Sequence, residues 1–142
     1  MIIALGGDHA GFEYKNEIIT ALETLGLVTK DFGPYSTESC DYPDYVHPLS
    51  EAVEKKECDL GIVICGSGNG VAMTANKHQG IRCALVWNVE LAKLAKLHGD
   101  ANVVSIPARF VSLEIAKEIA RVFIESKFEG GRHQNRINKI PL

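Results

Sequence analysis

The residues best suited to chemistry lie in one run, Ile64-Cys65-Gly66-Ser67-Gly68-Asn69-Gly70, where an apolar, β-rich stretch meets three alternate glycines and then a helical pattern. Glycine at every second position lets successive backbone N–H groups turn toward an anion, and the start of the following helix adds partial positive charge. The run therefore predicts a cradle for an oxyanion or one phosphate. It lacks the Gly-Lys-Ser/Thr of the nucleoside-triphosphate loop, and Val71 stands where the dinucleotide fingerprint requires its last glycine. At the junction, Cys65 would have its thiolate favoured by those N–H groups and by the helix dipole. That suits a base or a nucleophile. A free cysteine is also at home as a small buried hydrophobe, and position alone leaves both readings open.

Other candidates are weaker when taken singly. Asp8-His9 follows the first apolar run, where the bland reading is a helix cap. His98, in Lys96-Leu97-His98-Gly99-Asp100, ends a helical pattern, where a histidine often serves only the dipole. Arg132 and Arg136 are four apart, so a helical turn would set both guanidinium groups on one face. With Arg109 they suggest a clamp for a phosphate; the alternative is a solvated basic tail. Cys40, Cys58 and Cys83 sit by no such loop and read as passive. His47 and His78 have no partner identifiable from the sequence, and Trp87 reads as a packing residue.

These residues need a frame to position them. Apolar runs at Ile2 to Leu5, Val28 to Phe32, Gly61 to Cys65, Ile81 to Val86 and Val103 to Ile106 predict short buried strands. Helical spacing separates them, at Glu13 to Leu25, Tyr45 to Lys56, Val71 to Lys77, Val89 to His98 and Ser112 to Ser126. In the first helix Phe12, Ile18, Ile19, Leu22 and Leu25 form an apolar stripe, with Lys15 and its polar neighbours expected elsewhere, and Gly26 supplies the stop. Strands alternating with helices imply an α/β, three-layer α-β-α sandwich around a Rossmann-like, five-stranded, mostly parallel sheet. Ligands in such sheets bind beyond the carboxyl ends of the strands, which is where the glycine run, Asp8-His9 and Arg109 fall. The long stretch Gly33 to Asp44 is a loop able to join a site, with Tyr42 at its rim.

With 142 residues, 46% of them hydrophobic, the chain has enough material for one core spanning 1–142 without disulfides or a structural metal. The four cysteines are spaced by 18, 7 and 18 residues, with no C-x-x-C pair, so no zinc site is expected. The absence of a signal peptide or an apolar run of membrane length predicts a cytoplasmic protein with free thiols. A net charge of −3 and no basic stripe with interleaved aromatics exclude nucleic acid as the expected partner.

The segments DHAGF, DYPDY, CGSGNG followed by ANK, HGDANV and EGGRHQNR, in that order across almost the whole chain, resemble the ribose-5-phosphate isomerase type B family. That family also includes allose-6-phosphate isomerase activity and galactose-6-phosphate isomerase subunits. The resemblance implies a cofactor-free, metal-free interconversion of ribose 5-phosphate and ribulose 5-phosphate, a step of the non-oxidative pentose phosphate pathway. Cys65 matches the family's enediol base, Gly66, Ser67, Gly68, Asn69 and Gly70 the loop facing the developing enediolate oxygen, and Ser67 a hydroxyl-bearing position in it. His98 matches the ring-opening residue, Asp8 and His9 sugar contacts, and Arg109, Arg132 and Arg136 the phosphate and substrate contacts. Some members carry a glutamate base at the position of Val71, so this chain is of the cysteine type. Gly99 departs from the asparagine of many members, which keeps a hexose 6-phosphate in play as substrate. The resemblance also implies a homodimer or homotetramer with shared sites, the segment from about 127 to 142 packing on a partner. A rival from another class is a sugar-phosphate binding module that does no chemistry.

Overall fold

All five apolar runs form strands in the computed structural model, which describes residues 1–142. They are β1 (Ile2–Gly7), β2 (Val28–Asp31), β3 (Leu60–Cys65), β4 (Cys83–Leu85) and β5 (Val103–Pro107). Six helices connect or follow them: α1 (Phe12–Thr24), α2 (Pro43–Glu54), α3 (Asn69–Ala75), α4 (Val89–Leu97), α5 (Leu113–Glu125) and α6 (Arg132–Ile137). The strands pair in the order β2-β1-β3-β5-β4, and every pairing is parallel, so the sheet is wholly rather than mostly parallel.

Side chains of a strand alternate between faces, and both faces here are covered. On one face Ile3, Leu5, Ile62, Ile64, Val104 and Ile106 pack with Ile18 and Leu22 of α1, Ala92 of α4, and Ile119 and Phe123 of α5. On the other, Ala4, Val63, Cys65 and Val103 meet Val46, Leu49 and Val53 of α2 and Val71 and Ala75 of α3. This is why β1, β3 and β5, buried on both faces, read as apolar runs, whereas the edge strand β2 is not buried as expected and leaves Val28 and Lys30 exposed.

Two local expectations change. The run from Ile81 to Val86 yields a strand only at Cys83–Leu85, because its start is fixed by other means: the Ile81 amide turns back to the His78 carbonyl, and the Asn102 carboxamide accepts from the Arg82 amide. In α1 the apolar stripe is interrupted, since Lys15 is 1% exposed while Leu25 is exposed. The Lys15 ammonium donates to Asp31 Oδ1 at 2.7 Å and to the Pro34 carbonyl at 2.6 Å, between the Phe12 and Tyr35 rings. A buried ammonium survives where its donors are taken up this fully. The contact fastens α1 to the loop after β2. Gly26, with φ +84°, ends α1 as expected.

Candidate active site

The connection from β1 leaves through α1 on one face of the sheet, and that from neighbouring β3 leaves through α3 on the other. Helices departing to opposite faces open a crevice beyond the strand ends. Pairing of Gly7 with Ile64 sets Asp8 beside the last residues of β3, and the Asp8 amide donates to the Ile64 carbonyl at 3.2 Å. Asp8 Oδ1 accepts from the amides of Ala10 and Gly11, so the capping reading of Asp8 is correct as far as that oxygen goes. His9 Nδ1 accepts from the Cys40 amide at 3.3 Å, which places the proton of the neutral ring on Nε2. Nε2 therefore remains a donor.

Across the crevice the chain climbs from Cys65 into the glycine run. Cys65 is 5% exposed, and the Gly68 amide donates to its Sγ at 3.1 Å. That backbone donor fixes the sulfur at the mouth of the glycine run. Gly68 holds φ +75°, and a side chain on it would meet Leu85 Cδ1 at 2.5 Å, so both conformation and space call for glycine. The Gly68 carbonyl accepts from Ser105 Oγ at 2.6 Å, locking the loop to β5. Ser67 Oγ accepts from the Asn69 amide. The Tyr42 ring lies against Gly70, where an added Cβ would come within 2.4 Å of it. On the β5 side, the amides of Ala108 and Arg109 donate to the carbonyls of Cys65 and Gly66, and the Arg109 guanidinium borders Gly66. Asp8, His9, Tyr42, Cys65 to Gly70 and Arg109 therefore converge.

His98, Gly99, Arg132 and Arg136 do not join them. Because α4 runs antiparallel to the strands, it carries His98 back to the amino-terminal edge of the sheet, while Cys65 ends β3 at the carboxyl edge. The length of β3 alone separates those edges by about 16 Å at ~3.3 Å per residue. There the Glu129 amide donates to the Leu97 carbonyl, the His133 ring stacks on His98 at 4.4 Å, and α6 presents Arg132 and Arg136, both exposed. A single chain thus separates Arg109 from the other two arginines and does not by itself bring the three together. The helical turn expected for Arg132 and Arg136 is present. His98 and Gly99 line one end of a cleft of about 760 Å³ that runs along β4 and α4.

Three features escaped the sequence. Trp87 and Phe110 are exposed, not packed; with Leu85 and Pro107 they form an apolar recess of about 390 Å³ beside Ser67. His47 and His78 do have partners: His47 Nδ1 lies 2.8 Å from His78 Nε2, and His78 Nδ1 lies 3.1 Å from Glu54. The Glu129–His133 spacing of four was visible, but nothing in it pointed to His98. For the other thiols, burial pushes Cys40 and Cys58 up and Cys83 up to about 12, which fits their passive reading.

The sequence pattern of the Ribose/Galactose Isomerase family matches residues 3–140. The chain belongs to this family. Among the isomerases it resembles, ribose-5-phosphate isomerase B of Escherichia coli K12 is 42% identical over 138 residues, 97% of this chain and 93% of that one. The ribose-5-phosphate isomerase B of Clostridium thermocellum superimposes with a TM-score of 0.97 at 43% identity, covering 99% of this chain and 95% of the other. The enzyme of Mycoplasma genitalium, solved with bound ribulose 5-phosphate, gives 0.94 at 41% identity, covering 98% and 93%. The five-stranded α/β architecture is the family's. No helix is long and apolar enough to cross a membrane.

Proposed function

We propose that this isomerase interconverts D-ribose 5-phosphate and D-ribulose 5-phosphate through an enediolate, with Cys65 as the base. The observation that carries the proposal is the Cys65 thiol held by the Gly68 amide in the crevice between β1 and β3, in a chain of this family. Cys65 takes the proton from C2 of the open-chain aldose and returns it to C1 while the O2 hydroxyl proton passes to O1, a general acid–base transfer without a covalent intermediate. Backbone amides of the glycine run face the oxygen where charge develops, a stabilisation that acts only as the enediolate forms. Ser67, Asp8, Tyr42 and the Nε2–H of His9 hold the sugar hydroxyls, and Arg109 borders the same crevice.

Ring opening moves a proton from the C1 hydroxyl to the ring oxygen, and His98 is the group proposed for it. Since His98, Gly99, Arg132 and Arg136 sit at the other sheet edge, a complete site takes the crevice of one chain and the α4–α6 edge of a second. A homodimer with two such sites, or a tetramer of two pairs, fits this division. Arg132 and Arg136 then gain an anion to bind, where alone they are solvated charge.

Gly99 supports a second reading, an isomerase of a six-carbon 6-phosphate such as that of allose or galactose. A Cβ there would meet only the Ala95 backbone, at 3.0 Å, so no side chain fills the position and room is left beside the sugar. Solvent-deuterium incorporation into each sugar phosphate distinguishes the cases. Exchange in ribose 5-phosphate that disappears with Cys65→Ala is the expected result. Exchange in a hexose phosphate alone would favour the second reading, and binding of either without any exchange would leave only a sugar-phosphate binding module.

A further inference from the structure

At the end of α4, Glu129 Oε2 lies 3.7 Å from His98 Nε2 and 3.5 Å from His133 Nε2, and one ligand-capable atom from each residue falls within 4.8 Å of the others. These separations exceed an ordinary hydrogen bond. They approach the roughly 3.3 Å between neighbouring donors that tetrahedral zinc, with bonds near ~2.0–2.1 Å, imposes on its ligands. Independently, His133 is only 8% exposed and its buried Nε2 has no hydrogen-bond partner. A buried ring nitrogen facing a carboxylate across a gap, with a second imidazole beside it, is a set of donors missing what would join them.

We propose that His98, Glu129 and His133 bind one divalent ion of the zinc class, and that the ion reversibly inhibits the enzyme by taking His98 out of use. Two imidazoles and a carboxylate are a donor set zinc accepts, leaving the fourth position to water. The Glu129–Leu97 backbone hydrogen bond fixes the carboxylate's segment to α4, and Glu129 and His133 share one face at a spacing of four. The two rings now stack within 12° of parallel, an arrangement in which their lone pairs cannot meet at one point. Loading therefore turns the His98 ring, the freer of the two with 45% of its side chain exposed against 10% of that of His133, off His133. Once bound, its Nε2 lone pair is in the metal bond and can accept no proton. The inhibition, unlike the binding, rests on the ring-opening role proposed above.

Binding is tested on the metal-stripped protein with cobalt(II) as the probe. One equivalent should bring the visible bands of a tetrahedral site without sulfur-to-cobalt charge transfer, and zinc should displace it. Glu129→Gln and His133→Asn should each weaken binding at least about tenfold, by analogy with the loss of even an outer-shell partner. Glu129 is 51% exposed, so its variant tests the site even if the His133 variant folds poorly. Unchanged affinity in Glu129→Gln, or a charge-transfer band marking capture by Cys65, overturns the site. Activity is then read in two ways. Ribulose 5-phosphate has its O5 esterified and cannot close a five-membered ring, so exchange of its C1 hydrogen needs no ring opening. Zinc should suppress turnover of ribose 5-phosphate at least tenfold while that exchange persists, and Glu129→Gln should relieve the suppression. Binding with both reactions equally affected, or neither, would leave the metal site standing and refute the ring-opening role of His98.

Discussion

Replacing Gly11 by alanine tests how the crevice is held. Gly11 has φ −95° and ψ −1°, which any residue adopts, so local propensity alone predicts that alanine stabilises by about 0.4–1 kcal/mol through the unfolded chain. Packing predicts the opposite sign. A Cβ at Gly11 would lie 2.3 Å from the Ile64 carbonyl oxygen and 2.7 Å from its carbon, both backbone atoms of the central strand. Restoring a tolerable contact moves the turn away by at least about 0.7 Å, since cores absorb extra volume only by shifting. That stretches the 3.2 Å bond from the Asp8 amide to Ile64 to almost 4 Å, beyond hydrogen bonding. Overpacking costs about 1–3 kcal/mol and the broken bond about 1 kcal/mol; less the alanine gain of about 0.4–1 kcal/mol, the net loss is about 1–3.5 kcal/mol. At about 2–4 °C per kcal/mol for a chain near this size, the melting temperature should fall by roughly 2–14 °C. The same shift carries Asp8 and His9 away from Cys65, and a displacement near 1 Å can cost about a hundredfold in turnover. Thermal denaturation with isomerase assays reads both quantities. A variant as stable as the parent, with unchanged turnover, would refute the claim that the close approach of this turn to Ile64 sets the site.

The remaining predictions concern charge. Asp31→Asn should cost about 3 kcal/mol, because it leaves the buried Lys15 ammonium without its counter-charge, whereas Lys15→Met should cost about 1–2 kcal/mol, since Asp31 is 31% exposed and can rehydrate; urea unfolding orders the two. Burial holds the Lys96 ammonium below its ordinary value near 10.5, so the unfolded chain keeps that proton to higher pH than the folded one. The parent should therefore gain stability relative to Lys96→Met as pH rises toward 10.5, the variant's advantage being greatest at neutral pH and below; a difference independent of pH would contradict this. Arg132→Ala and Arg136→Ala should each raise KM for ribose 5-phosphate about ten- to a hundredfold, the worth of roughly 1.5–3 kcal/mol for a charged hydrogen bond, with little change in kcat.

Much of this was legible in the amino-acid sequence. The central strands announced themselves because a doubly covered parallel sheet demands unbroken apolar runs, and the glycine run did so because its spacing has few other uses. The burial of Lys15 was not legible. A lysine in an amphipathic helix reads as solvated, and only the return of Asp31 and the Pro34 carbonyl makes its position tenable. The partners of His47 and His78 arise from the packing of α2 on α3, which no local pattern encodes. Spacing also suggested three arginines around one phosphate, but it carries no information about which edge of the sheet a helix returns to.

That return path has a genetic meaning. In the paired arrangement proposed here, each chain lends its cysteine to one site and its α4 histidine to the other. A Cys65 lesion and a His98 lesion carried on different chains would therefore meet in one of the two sites of a mixed pair and leave the second intact. Two inactive proteins would complement each other to about a quarter of parental activity if subunits reassort at random in symmetric pairs. A single chain carrying both lesions would instead spoil both sites of any pair it entered, and act as a dominant inhibitor of its normal partner.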